Sequence, residues 1–291
     1  MSGVTLLSPS LNALLVPLLF FVALAGTVGA WLAGPSLLAT WRRARVQRQA
    51  FPKAWRNILR RRMPAFARLP PHLQLQIKKH VQVLVAEKPF IGCAGLVITD
   101  EMRVLISAQA ALLLLNRNAG YFSNLRQVLV YPGAFVVDRP QTDEQGVVQE
   151  FAAHQGRVLS GESWQQGQVI LSWQDVLDAA AAPDDGHNVV IHEFAHQLDQ
   201  ETGRANGAPF LFGHAARVRW ASTLAAEYEA LRQRVQQGQG GLLDAYGASA
   251  PAEFFAVASE VFFERPKALS EAHPALYREL TGCYRTDPLS W

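Results

Sequence analysis

The chain has 291 residues, 49% of them hydrophobic and 18% charged, which suits one or two domains with a sizeable core and excludes a wholly disordered chain. Two cysteines, Cys93 and Cys283, are too few for a disulfide scaffold and lack the paired spacing of a thiolate zinc site. The net charge of +3 is unevenly spread: residues 1–86 hold 12 Lys or Arg and no acid, while residues 87–291 hold the other 15 and all 24 acids, so a nucleic-acid role for the acidic body is not expected.

Residues 1–41 carry no charged side chain. Within them residues 11–33, LNALLVPLLFFVALAGTVGAWLA, are apolar apart from Asn12 and Thr27. At ~1.5 Å per residue they give roughly 34 Å of helix, enough to cross a ~30 Å hydrocarbon core. Arg42, Arg43, Arg45 and Arg48 follow directly. The positive-inside rule then predicts a single-pass anchor in the inner (cytoplasmic) membrane, with the body facing the cytoplasm. A cleaved signal peptide wants positive charge before the apolar run, and there is none. The basic stretch 42–68, with ten Lys or Arg, reads either as a lipid-headgroup contact or as a topology signal with a solvated helix face. Three segments result: 1–41 with a transmembrane helix at about 11–33, a basic juxtamembrane linker and first helix at 42–69, and a body at 70–291.

In the body, Leu73, Ile77, Val81 and Leu84 at helical spacing predict a helix from Pro70 to about Glu87. Cys93 to Val97 reads as a short strand. Thr99-Asp100-Glu101 looks like a helix start, with an apolar helix from Met102 to Leu115. Gln127 to Val137 reads as two strands around Pro132-Gly133, and Gly167 to Ser172 as another strand. Helices are expected at about 173–181, 188–200, 213–236, 251–264 and 274–284. The sum is an α+β body, mainly helical, with a small sheet.

Residues 192–196 read His-Glu-Phe-Ala-His. On a helix His192 and His196 are one turn apart, so both imidazoles leave one face and can hold one metal ion. Glu193 sits beside that face, where it can take a proton from water. Asn188 or Asp185 can cap this helix. A third ligand has to come from further on, and His214, Glu227, Glu229, Asp244, Glu253, Glu260 and His273 are the candidates. Glu253 and Glu260 lie two turns apart on one face of an otherwise apolar helix. That face is either a ligand with an acceptor for a ligand imidazole, or a solvated stripe. Cys93 reads as a small buried residue, and His72, His80, His154 and His187 as surface or capping residues.

Five stretches together carry a resemblance: GCAGLVITDEMRVLISAQAALLLL at 92–115, VLVYPGAFVV at 128–137, GESWQQGQVILSW at 161–173, IHEFAHQLDQETGRANGAPF at 191–210 and DAYGASAPAEFFAVASEVFFERP at 244–266. On these the chain resembles the zinc-dependent peptidases of the Mlc titration factor A family, from about Phe51 to Leu289. The order HEFxH, Tyr-Gly, Glu-Phe-Phe-Ala is also similar to the gluzincin-type site of the anthrax lethal factor catalytic domain. Where that domain has a further acid, this chain has Val257.

The resemblance implies a zincin-like metallopeptidase fold, zinc held by His192, His196 and Glu253, Glu193 as general base, and Tyr246 as a transition-state hydrogen-bond donor. Asp199 is expected either to orient His196 or to cap the helix. The resulting expectation is a membrane-anchored zinc peptidase acting on a peptide or protein substrate, with endo- and aminopeptidase action both open. The alternative is a protein-binding module that sequesters a transcriptional repressor, its zinc mainly structural. A zinc hydrolase acting on a non-peptide bond is a third reading. The strand at 167–172 offers a free edge on which an extended peptide can pair.

Overall fold

The computed structural model describes residues 17–21, 24, 27, 37–117, 120–133, 167–203, 205–211 and 213–291. The chain divides into two compact units, Met1–Ala50 and Phe51–Trp291. In the first, residues 37–47 are helical. Most of the apolar span 11–33 lies outside the described residues, and among the described residues no helix is long and apolar enough to cross a membrane.

The second unit is mainly helical with one small sheet, as the sequence predicts. In chain order it holds α1 (Lys53–Arg62), α2 (Ala65–Arg68), α3 (Pro71–Glu87), β1 (Phe90–Gly92), α4 (Asp100–Ala110), β2 (Gln127–Tyr131) and β3 (Gln168–Ser172). Then follow α5 (Trp173–Ala181), α6 (Val189–Asp199), α7 (His214–Gln236), α8 (Pro251–Glu264), α9 (Pro266–Ala272) and α10 (Pro274–Tyr284). Helix α1, in the stretch 42–69 read from sequence as a basic linker and first helix, is tied to this unit. Trp55 Nε1 donates to Asp100 at 3.1 Å and Arg62 pairs with Glu101 at 2.6 Å.

Local chemistry sets the helix starts. Thr99 Oγ1 accepts from Met102 N to cap α4, and Asp100 and Glu101 in its first turn complement the positive helix end. Ser172 caps α5 in the same way. Pro251, Pro266 and Pro274 open α8, α9 and α10, where a missing N–H costs no hydrogen bond.

Two elements differ from expectation. The first strand is Phe90–Gly92, and not Cys93 to Val97. The chain reverses after Gly92, where a side-chain Cβ would sit 1.8 Å from Leu96 O, and Ala94 and Gly95 take positive φ. The helix expected to run to Leu115 tightens at Ala111–Leu114 into a 3₁₀ turn and ends at Asn116, which takes positive φ and is held on both sides by Gln76. The second strand expected up to Val137 begins at residue 134 and falls outside the described residues.

The three strands pair in parallel in the order β1-β2-β3, with Phe90 opposite Val128 and Val128 opposite Val169. Val128, Val130, Val169 and Leu171 point into the core and are fully buried. Among the described residues β3 is an edge strand. Helix α6 packs on β3, and α8 packs along α6. All residues of α8 from Ala252 to Glu264 are buried. Phe254, Phe255 and Phe262 are completely so, and each contributes roughly 1.5–3 kcal/mol of apolar burial. A polar group on such a helix is costly without a partner, which makes its three glutamates informative.

Candidate metal centre

Helix α6 carries the His-Glu-Phe-Ala-His stretch, and its position is set from its first turn. Asn188 Oδ1 accepts from Ile191 N at 3.0 Å and caps the helix. Asp185, the other expected cap, instead accepts from His187 N at 2.8 Å. Val190, Ile191, Phe194, Ala195 and Leu198 face the core, which buries the two histidines between them: His192 is 1% and His196 0% exposed.

Opposite them stands one stripe of α8. Glu253, Glu260 and Glu264 are separated by seven and four residues and so share a face, and that face is buried rather than solvated. Glu253 Oε2 lies 3.1 Å from His192 Nε2 and 3.4 Å from His196 Nε2, and the two Nε2 atoms are 3.2 Å apart. A tetrahedral ion bonded at ~2.05 Å needs donors ~3.3 Å apart, which is the spacing these three atoms have. The donor set therefore fits one small metal ion, with one position left over for water or substrate. Among the described residues this is the one group of three metal-capable side chains close enough to share an ion.

The other six candidates for the third ligand are engaged elsewhere or exposed. Glu227 accepts from His273 Nδ1 at 2.7 Å. Glu229 pairs with Arg232, and His214 is exposed at the start of α7. Asp244 accepts from Tyr246 N at 2.7 Å. Glu260 sits behind the site, where His192 Nδ1 donates to its Oε1 at 2.7 Å. In the neutral ring that bond keeps the proton on Nδ1, so that Nε2, on the side of His196 and Glu253, is the nitrogen that would bind a metal.

The field around the donor set favours positive charge. Burial alone would lower the pKa of His192. The carboxylates of Glu260, Glu253 and Glu193 outweigh it and hold the imidazole well above its ordinary value. Burial works the other way on Glu253, yet hydrogen bonds and charge from the two histidines bring its carboxyl down to about 2. His196 is lowered to about 4, first by burial and then by its charged neighbour. Three carboxylates thus surround two imidazoles in a nearly water-free space, an arrangement that a divalent cation would neutralise.

Glu193 is 4% exposed and adds its charge to the field at His192. Tyr246 is half-buried on a 3₁₀ turn, Ala245–Ala248, its ring centroid 6.0 Å from that of His192. Asp199 Oδ2 accepts from Gly207 N at 2.7 Å and its Oδ1 from Ala208 N at 2.8 Å. Neither role expected of it is therefore the one seen: it fixes the loop after α6. Burial raises its pKa to about 6 against those bonds.

Sequence reasoning passed over Glu264. Its Oε1 accepts from Asn188 Nδ2 at 2.9 Å and its Oε2 from Gly186 N at 3.1 Å. Asn188 N donates to Glu260 Oε2 at 2.5 Å, so Glu264, Asn188, Glu260 and His192 form one chain of hydrogen bonds. The available signal was its place four residues beyond Glu260 on the same stripe. His80, expected as a surface or capping residue, is half-buried against Tyr121, with Nδ1 3.0 Å from the phenol oxygen. Cys93 is half-buried rather than buried. His154 lies outside the described residues.

Two histidines from one helix and a glutamate from the helix packed on it form a metal-binding cluster of the kind metallopeptidases carry. The family model described as "Glucose-regulated metallo-peptidase M90" matches residues 38–285, and the chain belongs to that family. A Synechocystis protein, slr2042, is 38% identical over 250 residues, covering 86% of this chain and 90% of the relative. Mlc titration factor A of Yersinia pestis is 35% identical over 232 residues, covering 78% of this chain and 83% of the relative. The protein of the same name from Yersinia pseudotuberculosis gives the same figures.

Proposed function

We propose that this protein is a membrane-anchored zinc metallopeptidase in which His192, His196 and Glu253 hold the metal. The observation that carries the reading is the spacing of 3.1, 3.2 and 3.4 Å among their three donor atoms. Zinc bound there supplies a Lewis acid and acidifies its water. Glu193 accepts the proton of the attacking water and returns it to the leaving amine. The Tyr246 hydroxyl donates to the oxyanion that develops on the scissile carbonyl. Glu260 keeps the His192 proton on Nδ1 throughout. An extended peptide pairs along the edge that β3 presents among the described residues, and β3 leads into the helices beside the site.

The apolar span 11–33 anchors the chain in the inner membrane. The arginines after it, in a front segment with 12 basic residues and no acid, keep the peptidase unit in the cytoplasm. A reporter fused to the C-terminus tests that side. For the chemistry, the purified full chain is stripped with a chelator and assayed on a peptide library. Cleavage that vanishes on stripping and returns with one equivalent of zinc supports the reading. Cleavage indifferent to metal overturns it.

A second reading has its own observation, the name Mlc titration factor A borne by relatives at 35% identity. Under it the chain captures a transcriptional repressor, and capture persists after Glu193→Gln. Retention of a buried acid and a tyrosine beside the metal donors favours catalysis, because a structural site needs neither.

A further inference from the structure

Helix α8 carries two buried glutamates outside the donor set, Glu260 and Glu264, one turn apart and 1% and 7% exposed. Both reach the short segment that leads into α6. Glu260 Oε2 accepts from Asn188 N at 2.5 Å, Glu264 Oε1 from Asn188 Nδ2 at 2.9 Å, and Glu264 Oε2 from Gly186 N at 3.1 Å. Asn188 thus gives its backbone N–H to one glutamate and its side-chain amide to the other, while its Oδ1 takes the Ile191 N–H and caps α6. An asparagine side chain offers an acceptor and a donor at once. Serine caps as well, but its side chain stops at the oxygen that takes the N–H.

The Glu260 carboxylate is the group that needs holding. It stands on a flexible stem, and its Oε1 meets His192 Nδ1 at 2.7 Å in one orientation. Asn188 N fixes the other oxygen, and Glu264 fixes Asn188. Glu264 does this without adding charge. Burial, with the charges of Asp185 and Glu260 behind it, raises its pKa to about 9 against the bond from Asn188, so at neutral pH it is a carboxylic acid. Its proton serves the side-chain hydrogen bond it shares with Asp185. Asn188 is therefore held with no second negative charge set beside Glu260.

We propose that Glu264 is a positioning residue for the metal site: acting through Asn188, it keeps the Glu260 carboxylate in the orientation that accepts from His192. The inference rests on the reading of His192, His196 and Glu253 as metal donors. It does not need the site to be catalytic.

The test measures zinc affinity of the full chain by competition with a chromophoric chelator, in Glu264→Met and in Asn188→Ser. The first removes both acceptors of Glu264. The second keeps the cap and cuts only the link to Glu264, so it stands even if the first does not fold. Loss of a partner that directly supports a ligand costs about 10–100-fold, and these residues lie further out, so a loss of about three- to tenfold is expected in each. Both substitutions are repeated in a Glu260→Ala chain, where they are expected to change affinity by less than about twofold, because the residue they act through is gone. A second readout is the His192 Nδ1–H proton in the zinc-loaded chain, labelled with ¹⁵N-histidine and assigned by its loss in Glu260→Ala. It is expected to exchange with water faster in both variants than in the parent. A parent that binds zinc, with variants that bind it equally well or that lose as much without Glu260 as with it, overturns this inference alone. A parent that binds no zinc overturns the metal reading, and the inference with it.

Discussion

Replacing Glu260 by Gln tests how far the metal site depends on a residue outside the donor set. The Glu260 carboxylate accepts twice, from His192 Nδ1 at 2.7 Å and from Asn188 N at 2.5 Å. A glutamine has one acceptor and one donor end to offer. With its oxygen toward His192, its amide NH₂ faces the Asn188 N–H, donor against donor. Turned the other way, it demands a lone pair on Nδ1 and drives the ring proton to Nε2, where the metal has to bind. Neither orientation serves both neighbours, and the negative charge behind the ring is lost as well. Hydrogen bonds to charged groups contribute about 1.5–3 kcal/mol, and removing such supporting partners weakens metal binding about 10–100-fold. Zinc affinity of Glu260→Gln is therefore expected to fall by about 10–100-fold, read by competition with a chromophoric chelator at constant pH. Circular dichroism of the metal-free protein checks that the fold is kept. An affinity within about twofold of the parent would refute the role assigned to Glu260.

Three further outcomes are expected. Tyr246→Phe should lower kcat by about 10²–10³ with KM and zinc content little changed, as loss of one oxyanion donor does; a kcat within threefold would remove Tyr246 from the chemistry. Gly207→Ala should destabilise the fold by about 1–3 kcal/mol in chemical denaturation. Its φ is +76° and a Cβ would meet Pro251 O at 2.6 Å, at the start of the helix that carries Glu253. Glu264 keeps its proton to about 9 when folded and releases it near the ordinary value of 4.5 when unfolded. The folded state therefore binds the extra proton across that window, and stability falls as pH rises through it, by at most ~1.4 kcal/mol per unit. Glu264→Gln should remove that slope. Parallel denaturation profiles of parent and variant from pH 5 to 9 would contradict it.

The helices with clear local signals were legible in the sequence. Thr99 marked the start of α4, the start of α6 was narrowed to Asn188 or Asp185, and the Pro251 helix ran over the residues expected. The reversal after Gly92 was not legible, because it is set by contact with Leu96 O and not by any residue preference at Cys93. The short α9 also escaped, since seven residues are too few to show a period. At the site, the pairing of His192 with His196 follows from spacing on a helix. Glu253 did not follow from spacing: it was one of seven candidates until resemblance selected it, and only the packing of α8 on α6 brings its carboxylate to the imidazoles. Glu260 was ambiguous for the same reason, since a stripe of acids reads alike whether it faces water or a neighbouring helix. Glu264 shows the limit most plainly. Nothing in its neighbourhood along the chain says that it bonds Asn188, 76 residues away.

The central claim is that the cluster on α6 and α8 is a catalytic metal site with Glu193 as its base. The most direct test is Glu193→Gln in the full chain, with zinc content and peptide cleavage measured on the same preparation. The prediction is one zinc per chain, as in the parent, and cleavage reduced to background. Full zinc with parental cleavage would contradict the claim.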